Sequence, residues 1–368
     1  MVTLDDRHVA AAVLASLPLI TPPRLRRLLE TFGSPAAAVD AIKKRRVTGC
    51  IGRSSEVDAT ELASAWRAFV AAPPTPALLA ARGAHVWIAG DDDYPITEPL
   101  ANVPPVLFGE GARPDALDAP CVAIVGTRSA TPHGLADARE LGAFLAQSGV
   151  TVVSGLALGI DSAAHEGALD AGGLAVGVVA TGLDVTYPRR HRALFDRVRE
   201  QGVIVGEHGY GVPPTRDRFP VRNRIIAALS RCTVVVEATA SGGARITANY
   251  ALEYGRDVYA MPGSRRNRAA AGCNALIADG AIALLDPGDL LVGLGRGGSR
   301  PGDWADADTA EPADADEAAV WRALGGEAAS IDELERSSRL GPARLDAALC
   351  RLERAGRVER RHGAWWPS

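Results

Sequence analysis

The chain has 368 residues, 47% of them hydrophobic, and a formal net charge of −4. That length allows two or three domains with full cores. The charge excludes a global basic field, so a polyanionic partner has to be held by local arginine clusters. Cys50, Cys121, Cys232, Cys273 and Cys350 stand far apart, with neither C-x-x-C nor zinc spacing, so no metal site or disulfide framework is expected and a reducing cytoplasm is the default compartment.

Asp5 and Asp6 precede a short apolar run without a basic segment, which reads as a helix and not a signal peptide. No apolar stretch approaches membrane-spanning length, so membrane insertion is not expected. Residues 1–75 have a helical pattern. Thr21-Pro22-Pro23 is an N-cap followed by proline in the first turn, Gly33 closes that helix, and Ser34-Pro35 opens the next. Residues 84–292 form the expected core. It begins with strand-like Val86–Ile88 and Pro104–Phe108. From Cys121 it alternates short, largely apolar runs with helical stretches. The runs are Val122–Val125, Val150–Val153, Ala175–Val179, Val203–Val205, Thr233–Val236 and Val258–Ala260. Strands buried on both faces and separated by helices specify a doubly wound, Rossmann-like parallel sheet of the α/β class. An acidic linker, 293–316, reads as disordered. Residues 317–368 read as three helices and a hairpin, a winged-helix pattern in which Trp365 and Trp366 pack the wing.

Ligands of open parallel sheets bind beyond the C-terminal strand ends, and glycine-rich segments fall there. They are Gly126–Ser129, Ser154–Asp161, Thr181–Asp184, Glu237–Gly243 and Pro262–Ser264. Glycines let backbone N–H groups approach phosphate closely, which makes Ser154, Gly155, Gly242 and Gly243 candidates, with Arg128 adding charge. The run Phe219–Ser230 is the most informative. It sets Arg222 and Arg224 beside Phe219 and Asn223, directly before an apolar helix whose unpaired N–H groups favour anions. Two guanidiniums suit phosphate oxygens, and a phenyl ring suits a base. Alone, the run reads equally well as a solvated basic turn whose Phe plugs the core; the glycine-rich edge tips the balance. No G-x-G-x-x-G follows the first strand and no phosphate loop of the G-x-x-x-x-G-K-[ST] type exists, so no nucleotide cofactor is implied. Asp161 is expected to cap its helix and His165 to make a structural hydrogen bond; Glu237 is expected to bind loop N–H groups.

These motifs resemble the DNA-processing protein A (DprA, or Smf) family. The matching segments are Val122–Arg128, Ser154–Asp161 with Ala164–Leu169, Thr181–Asp184 with Tyr187-Pro188, Phe219–Ile226, Val235–Ala238, Ile246–Ala248, Met261–Gly263 and Gly272–Ile277, with Asp93–Pro95 and Pro104–Leu107 ahead of them. The resemblance implies a non-enzymatic homodimer that binds single-stranded DNA, protects incoming strands and loads the RecA recombinase onto them in natural transformation. By the same resemblance Arg128, Phe219, Arg222, Asn223 and Arg224 are DNA contacts, and no catalytic residue is implied. The chain departs from the family pattern at Leu19 and Thr21, where a Gly-hydrophobic-Gly hairpin is expected, at Ala228 in place of Gly, and at Ala244 in place of Ser. Two alternatives belong to other classes. A nucleoside-monophosphate-cleaving Rossmann enzyme would need a P-G-G-x-G-T-x-x-E loop, but Ala244, Arg245 and Ile246 follow Gly242-Gly243. A winged-helix regulator that senses a nucleotide would need a more basic tail.

Overall fold

The computed structural model describes residues 4–51, 58–295, 312, 314–324, 329–354, 357–361 and 364–367. The N-terminal helices are Asp6–Ala15, Pro22–Phe32, Pro35–Lys43, Thr48–Ile51, Ala59–Ala71 and Thr75–Arg82. Their ends follow the sequence: Thr21 and Ser34 accept N-cap hydrogen bonds from Arg24 and Ala37, and Gly33 takes the left-handed C-cap conformation at φ 74°.

Nine strands follow, β1 (His85–Ile88), β2 (Val106–Glu110), β3 (Cys121–Val125), β4 (Thr151–Ser154), β5 (Ala175–Val178), β6 (Gly202–Gly206), β7 (Cys232–Val235), β8 (Asp257–Ala260) and β9 (Ile282–Ala283). They form one sheet in the order β1-β2-β6-β5-β4-β3-β7-β8-β9. Strands β6 through β9 run parallel, and β2 and β1 extend the β6 edge with antiparallel pairings. This is the extended Rossmann-like sheet, and each of the six apolar runs lies on one of β3 to β8. Successive side chains of β3 point to opposite faces. Val122 and Ile124 pack with the helices Pro132–Gln147 and Ile160–Asp170, whereas Ala123 and Val125 pack with Arg218–Leu229 and Ala244–Glu253. The strand order reverses between β3 and β7, which places a topological switch point there.

The helical segment 1–75 does not stand apart from the sheet. Leu14, Leu28, Ile42, Trp66 and Leu79 share one core with Val86, Phe108, Leu156, Phe195 and Ile204, and Met1–Leu294 forms a single compact unit. A buried carboxylate reinforces the join. Glu110 of β2 pairs with Arg199 at 3.0 Å and with Arg82 at 3.3 Å, and Arg82 stacks over Tyr210.

The second unit is a winged helix. Helices Ala315–Leu324, Ile331–Ser338 and Pro342–Arg354 pack with β10 (Ala329–Ser330), β11 (Val358–Arg361) and β12 (Ala364–Pro367), with β12 central in the small sheet. Leu334, Leu345, Leu349, Leu352 and Trp365 fill its core. Trp366, expected to pack with Trp365, is exposed. Most of the acidic linker, the helix-ending Gly356 and the His362-Gly363 turn lie outside the described residues. No described helix is long and apolar enough to cross a membrane.

Candidate nucleic-acid interface

At the β3–β7 switch lies a cleft of about 620 Å³, lined by Gly126, Thr127, Arg128, Tyr187, Arg216, Phe219, Arg222, Asn223, Gly242, Gly243 and Thr247 among others. Its walls are loops held by buried side chains. After β3, the Thr127 N–H donates to the Glu237 carbonyl at 2.7 Å, and the Glu237 carboxylate accepts from the N–H and hydroxyl of Thr131 at 2.9 and 2.7 Å. Glu237 is therefore a loop anchor, as expected, and Gly126 leaves the room this requires: a Cβ there would sit 2.4 Å from Ile160. After β4, the Gly155 N–H donates to Asp161 at 3.0 Å, so Asp161 ties the loop instead of capping its helix, whose N-cap is Gly159. His165 makes no structural hydrogen bond: both ring nitrogens are buried without a partner, and burial pushes its pKa down to about 3, so the ring is neutral near pH 7.

The helix Arg218–Leu229 starts four residues before Arg222. The two arginines therefore lie inside it and not ahead of it. Residues two apart on a helix point about 200° from one another, and the side chains separate accordingly. Arg222 turns inward under the cleft, where its guanidinium donates to the carbonyls of Gly155, at 2.8 Å, and Val178. It thereby clamps the ends of β4 and β5. Burial pushes Arg222 down to about 10, opposed by the nearby Asp161 carboxylate, and a Cβ at Gly155 would meet the guanidinium at 2.5 Å. Arg224 points away from the cleft and pairs with buried Glu207, whose carboxyl is raised by burial and lowered by Arg224. Ser154 is also outside the cleft; it is fully buried, and its hydroxyl donates to Ile124 at 2.6 Å.

Phe219, one turn ahead of Arg222, does face the cleft. Tyr187 packs against its ring at 5.3 Å between centroids, and the exposed Arg128 lies 5.3 Å over it. Asn223 reaches the Gly243 carbonyl at 3.4 Å. Gly242 and Gly243 precede the helix Ala244–Glu253, whose N-terminus opens on the cleft without a side-chain cap. A smaller recess of about 50 Å³ continues under Arg128, Gly155, Tyr187 and Phe219. The structure thus gathers Arg128, Phe219, Arg222, Asn223, Gly155, Gly242 and Gly243 in one place and leaves out Ser154 and Arg224. Sequence reasoning passed over Arg216 and the pairing of Tyr187 with Phe219. Arg216 carries a readable signal, since it stands three residues before Phe219, just ahead of the helix. The Tyr187 contact joins residues far apart in sequence and has no such signal. Arg189, Arg190, Arg216, Arg265, Arg266 and Arg268 are all exposed around this edge, and no ion pair holds them among the described residues.

The sequence profile of the DNA recombination-mediator protein A family matches residues 85–295, and that of the DprA winged helix domain matches residues 305–364. The chain belongs to the DNA-processing protein A family. It is 40% identical over 306 residues to a DNA processing protein DprA of Mycobacterium tuberculosis, covering 78% of each chain. The solved DprA structure from Streptococcus pneumoniae matches with a TM-score of 0.65 at 30% identity, over 79% of this chain and 98% of that one. The DprA structure from Helicobacter pylori, described for its single-stranded DNA binding mode, matches with a TM-score of 0.51 at 27% identity, over 57% of this chain and 95% of that one. The cleft lies wholly inside the segment matched by the DprA core profile.

Proposed function

We propose that this DprA-family protein binds single-stranded DNA in the cleft at the β3–β7 switch and acts as a recombination mediator that protects incoming strands and loads RecA onto them during natural transformation. The cluster of Arg128, Phe219 and Tyr187 carries the reading. Two half-exposed rings beside a free guanidinium, with Arg216 on the rim, offer a stacking face for a base and cations for its flanking phosphates. A duplex keeps its base faces stacked and gains less from such a site. The Helicobacter pylori relative's described single-stranded DNA binding supports the same choice.

Arg222 and Arg224 serve this site as internal struts and not as phosphate contacts. The reading is of a binder and not a hydrolase, because Asp161 and Glu237, the acids that close the cleft's loops, are both engaged in holding backbone. A homodimer fits the short β9 edge, where Ile282 and Leu285 are exposed, and a cytoplasmic setting fits the free cysteines. The test is a binding series at matched salt with single-stranded, duplex and mononucleotide ligands. Preference for the single strand is expected; equal duplex affinity, or turnover of the mononucleotide, overturns the reading.

A further inference from the structure

We infer that the segment Ser264–Arg268, beyond the end of β8, is a second stretch of the single-strand track and takes the phosphates next to those in the cleft; this rests on the cleft reading above. The segment presents Arg265, Arg266 and Arg268 within four residues, all exposed and none held in an ion pair among the described residues. The backbone beneath them is fixed. The Ser264 hydroxyl accepts from the Arg266 N–H at 3.3 Å, the Asn267 carboxamide oxygen accepts from the Ala269 N–H at 2.9 Å, and Asn274 brackets Gly263 with hydrogen bonds of 3.1 and 2.9 Å. Three long cations thus stand on a braced turn.

The turn is continuous with the cleft. The Gly272 N–H, at the start of the helix Ala271–Ala278, donates to the Ala238 carbonyl at 2.6 Å, and a Cβ on Gly272 would sit 2.5 Å from the Thr239 carbonyl oxygen. Ala238 lines the cleft, and Gly242 and Gly243 follow within the same loop. The helix that follows the Arg-bearing turn therefore packs on the wall that bounds the cleft on its β7 side. From Tyr187 and Arg189 beyond β5, past Arg128 and Phe219, to Arg265 beyond β8, the cations occupy one edge of five neighbouring strands. At about 4.8 Å per strand interval that edge is about 19 Å long, the length of about six stacked nucleotides at 3.4 Å each. Two carboxylates of this edge are engaged: Glu237 with Thr131, and Asp279 with Arg245 at 3.5 Å. The chemistry recognised is the phosphodiester backbone, without base preference, because the turn offers cations and no ring.

The test uses the full chain and a single-stranded 20-mer across a salt series. Replacing Arg265, Arg266 and Arg268 together by Gln should lower the salt slope by about 2, at about 0.7 per phosphate contact, and weaken binding roughly 100-fold near 0.1 M salt. The triple Lys variant should keep the wild-type slope, since a point charge suffices. The additional loss on Phe219→Ala should be the same in the Gln variant as in wild type. A folded Gln variant with wild-type slope overturns the inference while leaving the cleft reading standing, and a Lys variant as weak as the Gln variant overturns it too. Failure of the wild-type protein to bind the 20-mer takes down both.

Discussion

The edge of the large sheet and the winged helix are both rich in arginine, yet they treat it in opposite ways. At the sheet edge, Arg128 and Arg216 face open solvent while the nearby acids are bound to backbone. In the winged helix, Arg344 and Arg351 of the third helix are held by acids at the start of the first: Arg344 pairs with Asp316, and Arg351 with Glu317 and Asp314 at 2.5 and 3.0 Å. The exposed side of that third helix also carries Asp346 and Glu353. Arginine content therefore does not locate a phosphate site. What matters is whether each guanidinium already has a partner, and that depends on which elements fold against it. The pair Arg222 and Arg224 makes the same point within the first unit, where both are engaged inward.

The sharpest way to break this comparison is to remove an engaged arginine from the first unit. Arg224→Ala leaves Glu207 as an unpaired buried carboxylate, and Arg222→Ala leaves the Gly155 and Val178 carbonyls without their donor and removes the cation near buried Asp161. Each should cost about 3–5 kcal/mol of folding stability, read by chemical denaturation. Exchanging Arg224 and Glu207 together for Met and Leu should recover most of the loss. Normal stability with weakened DNA binding in either single variant would return these residues to the interface. Phe219→Ala should cost about 1–3 kcal/mol of single-strand affinity with little change in salt slope; a fall in melting temperature with unchanged affinity would make the ring a core plug. Arg128→Gln with Arg216→Gln should lower the slope by about 1.4, and an unchanged slope would show that these exposed guanidiniums are idle. The smallest effect is expected in the winged helix. Arg344→Gln with Arg351→Gln, or a chain ending at Leu294, should leave the single-strand affinity and slope where they are. A marked loss on truncation would move the principal site into the second unit.

Most of the sheet was legible because strands buried on both faces are written as short, largely apolar runs, and β3 to β8 each carry one. The two-residue β9 is too short to leave such a trace. The glycine loops announced the edge where the cleft lies, since the connectivity of a parallel sheet sends them there. The inward turn of Arg222 and Arg224 was obscured by the start of their helix: with the first turn placed after Arg224, both could face one phosphate, and with the helix running from Arg218 they cannot. The fate of His165 could not be read at all, because an unpartnered imidazole contradicts the ordinary rule that buried polar groups are satisfied. The caps of the N-terminal helices were legible, whereas the core they share with the sheet shows only in tertiary contacts such as those of Leu28 and Trp66.

That shared core has a spectroscopic consequence. Trp66 is fully buried in it, with its indole N–H donating to the Pro18 carbonyl at 2.8 Å, and Trp87 of β1 is buried on the other side of the sheet edge. The two indoles should redden together in one cooperative fluorescence transition as unit Met1–Leu294 melts, so a chain ending at Leu294 carries its own paired reporters of whether the N-terminal helices and the sheet ever come apart.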